Sequence, residues 1–142
     1  MKDEVKVTIS GTQGQQSPEE KIEVVSIGQM CKEDDATYIT YDEVVGEEEN
    51  GLVQVVKNTL KINEEQVEVI KKGPTESHMV FVPNQTTFTY YSTPLGELEV
   101  SVHTENIERV KRKNGFALKI QYGLEMNQTF ISSCNVDIKV EH

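Results

Sequence analysis

Phe116-Ala117-Leu118-Lys119-Ile120-Gln121-Tyr122-Gly123-Leu124-Glu125-Met126 decides the fold class. Large apolar side chains occupy every even position, and small or polar ones every odd position. That two-residue period marks a strand with one face in a core and the other mostly in water. The next segment repeats it, with Phe130, Cys134, Val136, Ile138 and Val140 set against Asn135, Asp137, Lys139 and Glu141. Taking Asn127, Gln128 and Thr129 as a three-residue loop places Met126 opposite Phe130, Tyr122 opposite Cys134, Ile120 opposite Val136, Leu118 opposite Ile138 and Phe116 opposite Val140. A two-residue loop breaks this parity and turns one strand's apolar set to water.

The turn before the stretch is read by the same test. A tight Asn114-Gly115 hairpin sets Arg109 against Ile120 and Lys111 against Leu118 on the core face, whereas a three-residue loop of Lys113, Asn114 and Gly115 sets Val110 opposite Leu118 and Val102 opposite Met126. The longer loop is therefore expected. It leaves Glu108 facing Ile120, a conflict that a bulge near Glu105 and Asn106 would relieve by turning Ile107 inward. Residues 98–140 thus read as three consecutive antiparallel strands.

Towards the N-terminus the chain continues in the same manner. Val5, Val7 and Ile9 alternate with polar residues and run into the flexible stretch 11–16; Ser17-Pro18-Glu19-Glu20 has the form of a capped helical turn. A strand follows over 22–30, where the adjoining Val24 and Val25 suggest a bulge, then a polar turn over 32–35 and a strand over 38–44. The acidic, glycine-bounded segment 46–51 is a loop. Beyond it Leu52, Gln54, Val56, Asn58, Leu60 and Ile62 share one face of a strand, with Val53, Val55, Lys57, Thr59 and Lys61 on the other, and periodicity leaves open which face is inward. Asn63-Glu64-Glu65 turns into a strand over 67–72, Gly73-Pro74 ends it, and short runs at 79–82 and 86–92 flank a Pro83-Asn84 turn. About ten strands joined by short connections imply antiparallel neighbours. The expected architecture is all-β, an up-and-down meander barrel of about 8–10 strands, since closure removes the exposed edges of so long a meander.

The 142 residues suffice for a single domain, residues 1–142, with one core. A composition of 36% hydrophobic and 27% charged residues places the chain among ordinary globular proteins. The net charge of -10 opposes binding to nucleic acid or anionic membrane, and the basic run 109–113 interleaves no aromatic residue. The charged N-terminus leads into no apolar secretory core, so a cytoplasmic location is expected, with Cys31 and Cys134 as reduced thiols lacking metal-ligand spacing.

The run Tyr91-Ser92-Thr93-Pro94-Leu95-Gly96-Glu97-Leu98, then Thr104, Gly115 and Ile120-Gln121-Tyr122-Gly123-Leu124, resembles a bacterial family of uncharacterised proteins known as YwiB-like. Further matches are Ser10-Gly11-Thr12-Gln13, Tyr41-Asp42-Glu43, and Lys72-Gly73 followed by Met79-Val80-Phe81, so the points of likeness span nearly the whole chain. The resemblance implies a calycin-like barrel of the lipocalin type and carries no established activity. The chain departs from lipocalins in having no tryptophan for a Gly-x-Trp signature. It also lacks the arginine-x-tyrosine pair that holds a carboxylate in many fatty-acid-binding barrels, since Ile120 and Gln121 precede Tyr122.

The residues offer little for catalysis. His78, His103 and His142 are the only histidines, and no serine stands in a nucleophile elbow. Neither Asp34-Asp35 nor Glu47-Glu48-Glu49 has the spacing of a calcium loop, so neither a metal nor any other cofactor is expected. What remains is a set of semi-polar residues on strands expected to line the barrel: Tyr38, Tyr41, Glu43, His78, Tyr90 and Tyr122. Such side chains can orient one small ligand inside a barrel, or simply pack with their hydroxyls near its rim. The expectation is a non-enzymatic protein that binds a small molecule in the barrel. The alternative is an interaction module or homodimer using an exposed strand face, as the doubly apolar stretch 52–56 suggests.

Overall fold

The computed structural model describes residues 2–13, 22–47, 52–73, 76–93, 96–126 and 129–142. Ten strands run in chain order: β1 (Lys2–Gln13), β2 (Ile22–Glu33), β3 (Ala36–Glu47), β4 (Leu52–Ile62), β5 (Val67–Lys72), β6 (Ser77–Phe81), β7 (Gln85–Thr93), β8 (Gly96–Arg112), β9 (Gly115–Met126) and β10 (Thr129–Glu141). They form one antiparallel sheet in the order β6-β5-β4-β3-β2-β1-β10-β9-β8-β7, nearly closed into a barrel. The expected meander is therefore present, with the first and last strands paired in its middle. The capped turn at 17–20 lies outside the described residues. Among the described residues no helix is long and apolar enough to cross a membrane.

Alternation determines which side chains enter the barrel. Val5, Val7, Met30, Ile39, Leu60, Ile62, Val67, Phe81, Val100, Val102, Leu118, Ile120, Ile138 and Val140 are buried in one cluster. Each contributes about 1.5–3 kcal/mol of burial if fully withdrawn from water. The face of β4 left open by periodicity is settled here: Val56, Asn58, Leu60 and Ile62 point inward. At the seam, Val82-Pro83-Asn84-Gln85 forms a turn closed by the Gln85 N–H donating to the Val82 carbonyl at 3.0 Å. Asn84 takes the left-handed conformation (φ 64°) that a type II turn demands after proline. Asn84 N–H also donates to the Thr104 carbonyl, Thr87 Oγ1 donates to the Val80 carbonyl, and the Phe81 ring lies 4.8 Å from that of Tyr122. These contacts draw the two ends of the sheet order together.

Register corrects both loop readings. Thr129 pairs with Met126, so Met126 does not face Phe130, and a shift between Phe130 and Ser132 restores the expected pairs Tyr122–Cys134, Ile120–Val136, Leu118–Ile138 and Phe116–Val140. Arg112 pairs with Gly115, so only Lys113 and Asn114 form the turn; Val110 faces Ala117 rather than Leu118, and Val102 faces Leu124 rather than Met126. The bulge between Thr104 and Asn106 stands where expected and sets Ile107 opposite Ile120. In both hairpins the extra residue is absorbed within a strand, because a bulge restores parity while leaving the turn tight. Arg109 and Lys111 do fall on the side of Leu118 and Phe116, and both are exposed. No shift interrupts the β1–β2 ladder at Val24 and Val25, so the bulge expected there is absent. The turn at 32–35 is narrower than expected, with Lys32 and Glu33 in β2 and only Asp34 and Asp35 between the strands.

Gly115 begins β9 where the chain leaves no room for a side chain: a Cβ there would lie 1.8 Å from the Val140 carbonyl oxygen. Gly115→Ala is expected to cost about 2 kcal/mol or more in urea unfolding, through backbone displacement at the β9–β10 ladder. The bulge makes an ordered prediction. Ile107→Ala should destabilise by about 1–2 kcal/mol and Val110→Ala by under about 0.5 kcal/mol, whereas a ladder without the bulge would reverse that order.

Candidate functional site

Antiparallel register carries one inward position from strand to strand, through Gly28 on β2, Tyr41 on β3, Asn58 on β4, Lys71 on β5 and Ser77 on β6. The next inward row on one side is Met30, Ile39, Leu60, Val69 and Met79, wholly apolar. On the other side Glu43 pairs with Val56. The polar row therefore lies where the apolar core ends. Gly28 admits the tyrosine beside it, since a Cβ at this position would come within 2.7 Å of the Thr40 carbonyl oxygen and 3.2 Å of the Tyr41 Cβ.

Four side chains make up the site. Asn58 is 1% exposed; its Nδ2 donates to Glu43 Oε1 at 3.4 Å and to the Val56 carbonyl at 3.3 Å. The amide oxygen, Oδ1, is buried and accepts no hydrogen bond. Turning the amide over would set that oxygen against both acceptors, so the donor contacts fix its orientation. Lys71 Nζ lies 3.7 Å from Glu43 Oε1, giving the carboxylate a partner. Burial, and secondarily the charge of Glu43, pushes the Tyr41 hydroxyl well above its ordinary pKa of 10.0 and holds it neutral, a donor rather than a phenolate. The cluster thus offers an unused carbonyl acceptor, a neutral hydroxyl and a carboxylate–ammonium pair at the edge of an apolar interior.

Of the six candidates read from the sequence, only Tyr41 and Glu43 meet in this cluster. Tyr122 is on the inward face of β9 but packs against Phe81. Tyr38, His78 and Tyr90 do not line the interior, because each falls on the odd parity of its own strand relative to the buried residues Ile39, Phe81 and Thr89. Tyr38 lies beneath Lys61, whose Nζ is 5.8 Å from the ring centre. Glu68 joins Lys61 at 3.7 Å and His78 Nε2 at 2.9 Å, forming an outer-face network. Tyr90 is exposed on β7 near Phe88. Asn58 and Lys71 were missed. Their signal was a lone amide among Val56, Leu60 and Ile62, and a lysine in phase with Val67 and Val69.

Among the described residues no three His, Cys, Asp or Glu side chains are placed to hold a metal ion. Cys31 and Cys134 form no disulfide. A concavity of about 310 Å³ lies against β8, β9 and β10, bordered by the amides Asn106, Gln121 and Asn135 and by the charges Glu108, Lys119 and Asp137. These polar side chains belong to the outer face, apart from the inward cluster.

The family model described as Domain of unknown function (DUF1934) matches residues 7–138. The chain belongs to this family. A solved structure described as the crystal structure of ywiB protein from Bacillus subtilis is similar, at 22% sequence identity and a TM-score of 0.79, covering 99% of this chain and 92% of that one. At that identity the likeness establishes the barrel fold of the DUF1934 protein and nothing finer. No curated protein matches the chain.

Two measurements test the site's physics. The neutral Tyr41 stabilises the fold fully below pH 10, where the unfolded chain's tyrosine is also protonated. As pH rises past 10 the unfolded state loses its proton first, so stability falls by about 1.4 kcal/mol per pH unit; Tyr41→Phe should flatten that slope in alkaline urea titrations. Asn58→Leu removes a buried acceptor without a partner but also the donor contacts to Glu43 and the Val56 carbonyl, so the two effects offset and stability in urea should move by under about 1 kcal/mol.

Proposed function

We propose that this DUF1934 protein is a non-catalytic cytoplasmic binding protein, holding one small polar molecule at the Tyr41–Glu43–Asn58–Lys71 cluster. The observation that supports this reading is the Asn58 amide oxygen, buried with no hydrogen-bond partner. Leaving such an acceptor unsatisfied costs about 1–3 kcal/mol, a cost that a bound N–H or O–H donor would relieve. The ligand's polar end is an amide, amine or hydroxyl facing Asn58 Oδ1 and the Glu43 carboxylate. The Tyr41 hydroxyl gives a second directional contact. In this reading the Glu43–Lys71 pair holds the ligand, and no chemical step is required of it.

Native mass spectrometry of the freshly purified full chain tests this directly. Mass in excess of 16.1 kDa should persist under gentle ionisation and vanish on denaturation. Asn58→Leu should lose the excess mass while remaining folded. A bare wild-type chain that also gains no thermal stability from a panel of small amides, amines and alcohols would end the reading.

A further inference from the structure

The β2–β3 ladder stops at Gly28 opposite Tyr41. Beyond that point, among the described residues, β2 continues to Ile22 paired with β1 alone, and β3 continues to Glu47 paired with β4 alone. The β4–β5 ladder likewise ends at Lys57 opposite Lys72, and Gly73 then lies against Val56; beyond it, among the described residues, the β3–β4 hairpin continues as a two-stranded ribbon with no further ladder. Residues 22–27 and 42–47 are therefore two strand edges separated by a split in the barrel wall. Each carries about three N–H and three C=O groups directed at the split, since half the backbone groups of an antiparallel strand serve each side.

The side chains around the split are apolar and wet. Val25 and Ile27 on β2 are 53% and 63% exposed; Val44 and its cross-strand partner Val55 are 68% and 51% exposed. All four lie on the outer face, the parity opposite to the inward Gly28 and Tyr41. Neither edge contains lysine, arginine or proline, the residues that commonly guard an open edge against pairing.

We propose that this split accepts an extended, basic and apolar peptide segment of another protein as an added strand between β2 and β3. Only an extended backbone answers a row of alternating donors and acceptors, and its outward side chains would cover Val25, Ile27 and Val44. Charge selects among extended partners. The edges hold Glu23 and Asp42, both exposed on the outer face, and the chain carries a net charge of -10. A second copy brings the same acidic edges and is repelled, whereas a strand with lysine or arginine at alternate positions is attracted. The inference does not depend on the interior cluster.

The test selects a displayed library of random nonapeptides on the full chain, then maps a synthetic selected peptide by amide NMR. The expected consensus alternates basic and apolar residues. Shifts and slowed exchange should concentrate in residues 22–27 and 42–47, and N-methylation of alternate peptide amides should weaken binding at least tenfold. Val44→Lys should weaken it tenfold, while Val110→Lys on β8 leaves it unchanged. No enrichment, an acidic consensus, or shifts mapping elsewhere would overturn the proposal. So would concentration-dependent self-association that protects those same amides, which would assign the split to a second copy.

Discussion

In an antiparallel pair, a side chain and its cross-strand partner point to the same side of the sheet, so one residue of slip would carry a core valine into water. That constraint passes along the order from β6 to β7 and sets the inward set of every strand. Where chain length and parity conflict, the strand yields and the core does not. The shifts between Phe130 and Ser132 and between Thr104 and Asn106 each take up the mismatch, leaving Leu118, Ile120, Ile138 and Val140 buried together. Gly115 marks the limit of this adjustment, since the Val140 backbone fills the space a Cβ would need.

The same passing of register assembles the polar cluster. Tyr41, Asn58 and Lys71 are distant in sequence, yet successive pairings set them in one row at the edge of the apolar interior. Asn58 directs its amide hydrogens at acceptors on Glu43 and Val56 and leaves its oxygen facing no donor. Burial that makes the oxygen costly also keeps the Tyr41 hydroxyl protonated. The unmet acceptor lies beside the point where the β2–β3 ladder gives out.

That break in the ladder makes the barrel asymmetric. From Gly28 towards Glu33 the β2 wall is continuous with β3, while in the opposite direction β2 stays with β1 and β3 with β4. The adjacent Val24 and Val25 drew notice in the sequence as a local irregularity. The β1 ladder passes them undisturbed, and the irregularity is instead the loss of a neighbour on the other side. Val25, Ile27, Val44 and Val55 stand exposed on the outer face beside it.

Alternation within each segment was enough, by itself, to give the all-β class, about ten strands, the meander and the inward positions of β9 and of β10 from Cys134 onward, because period-two patterning is a local property written in consecutive residues. Ile107 was legible as well, since a bulge near Glu105 and Asn106 would turn it inward in place of Glu108. Turn lengths were not legible, because a tight turn with a bulge and a longer loop without one satisfy the same pattern over most of the strand. The site was half legible. Tyr41 and Glu43 were found as polar residues on a strand, but Tyr38, His78 and Tyr90 sit on the opposite parity, and Asn58 and Lys71 gain meaning only through partners on other strands. Which edges go unpaired, and which buried oxygen lacks a donor, are properties of pairs of strands, and tertiary pairing alone decides them.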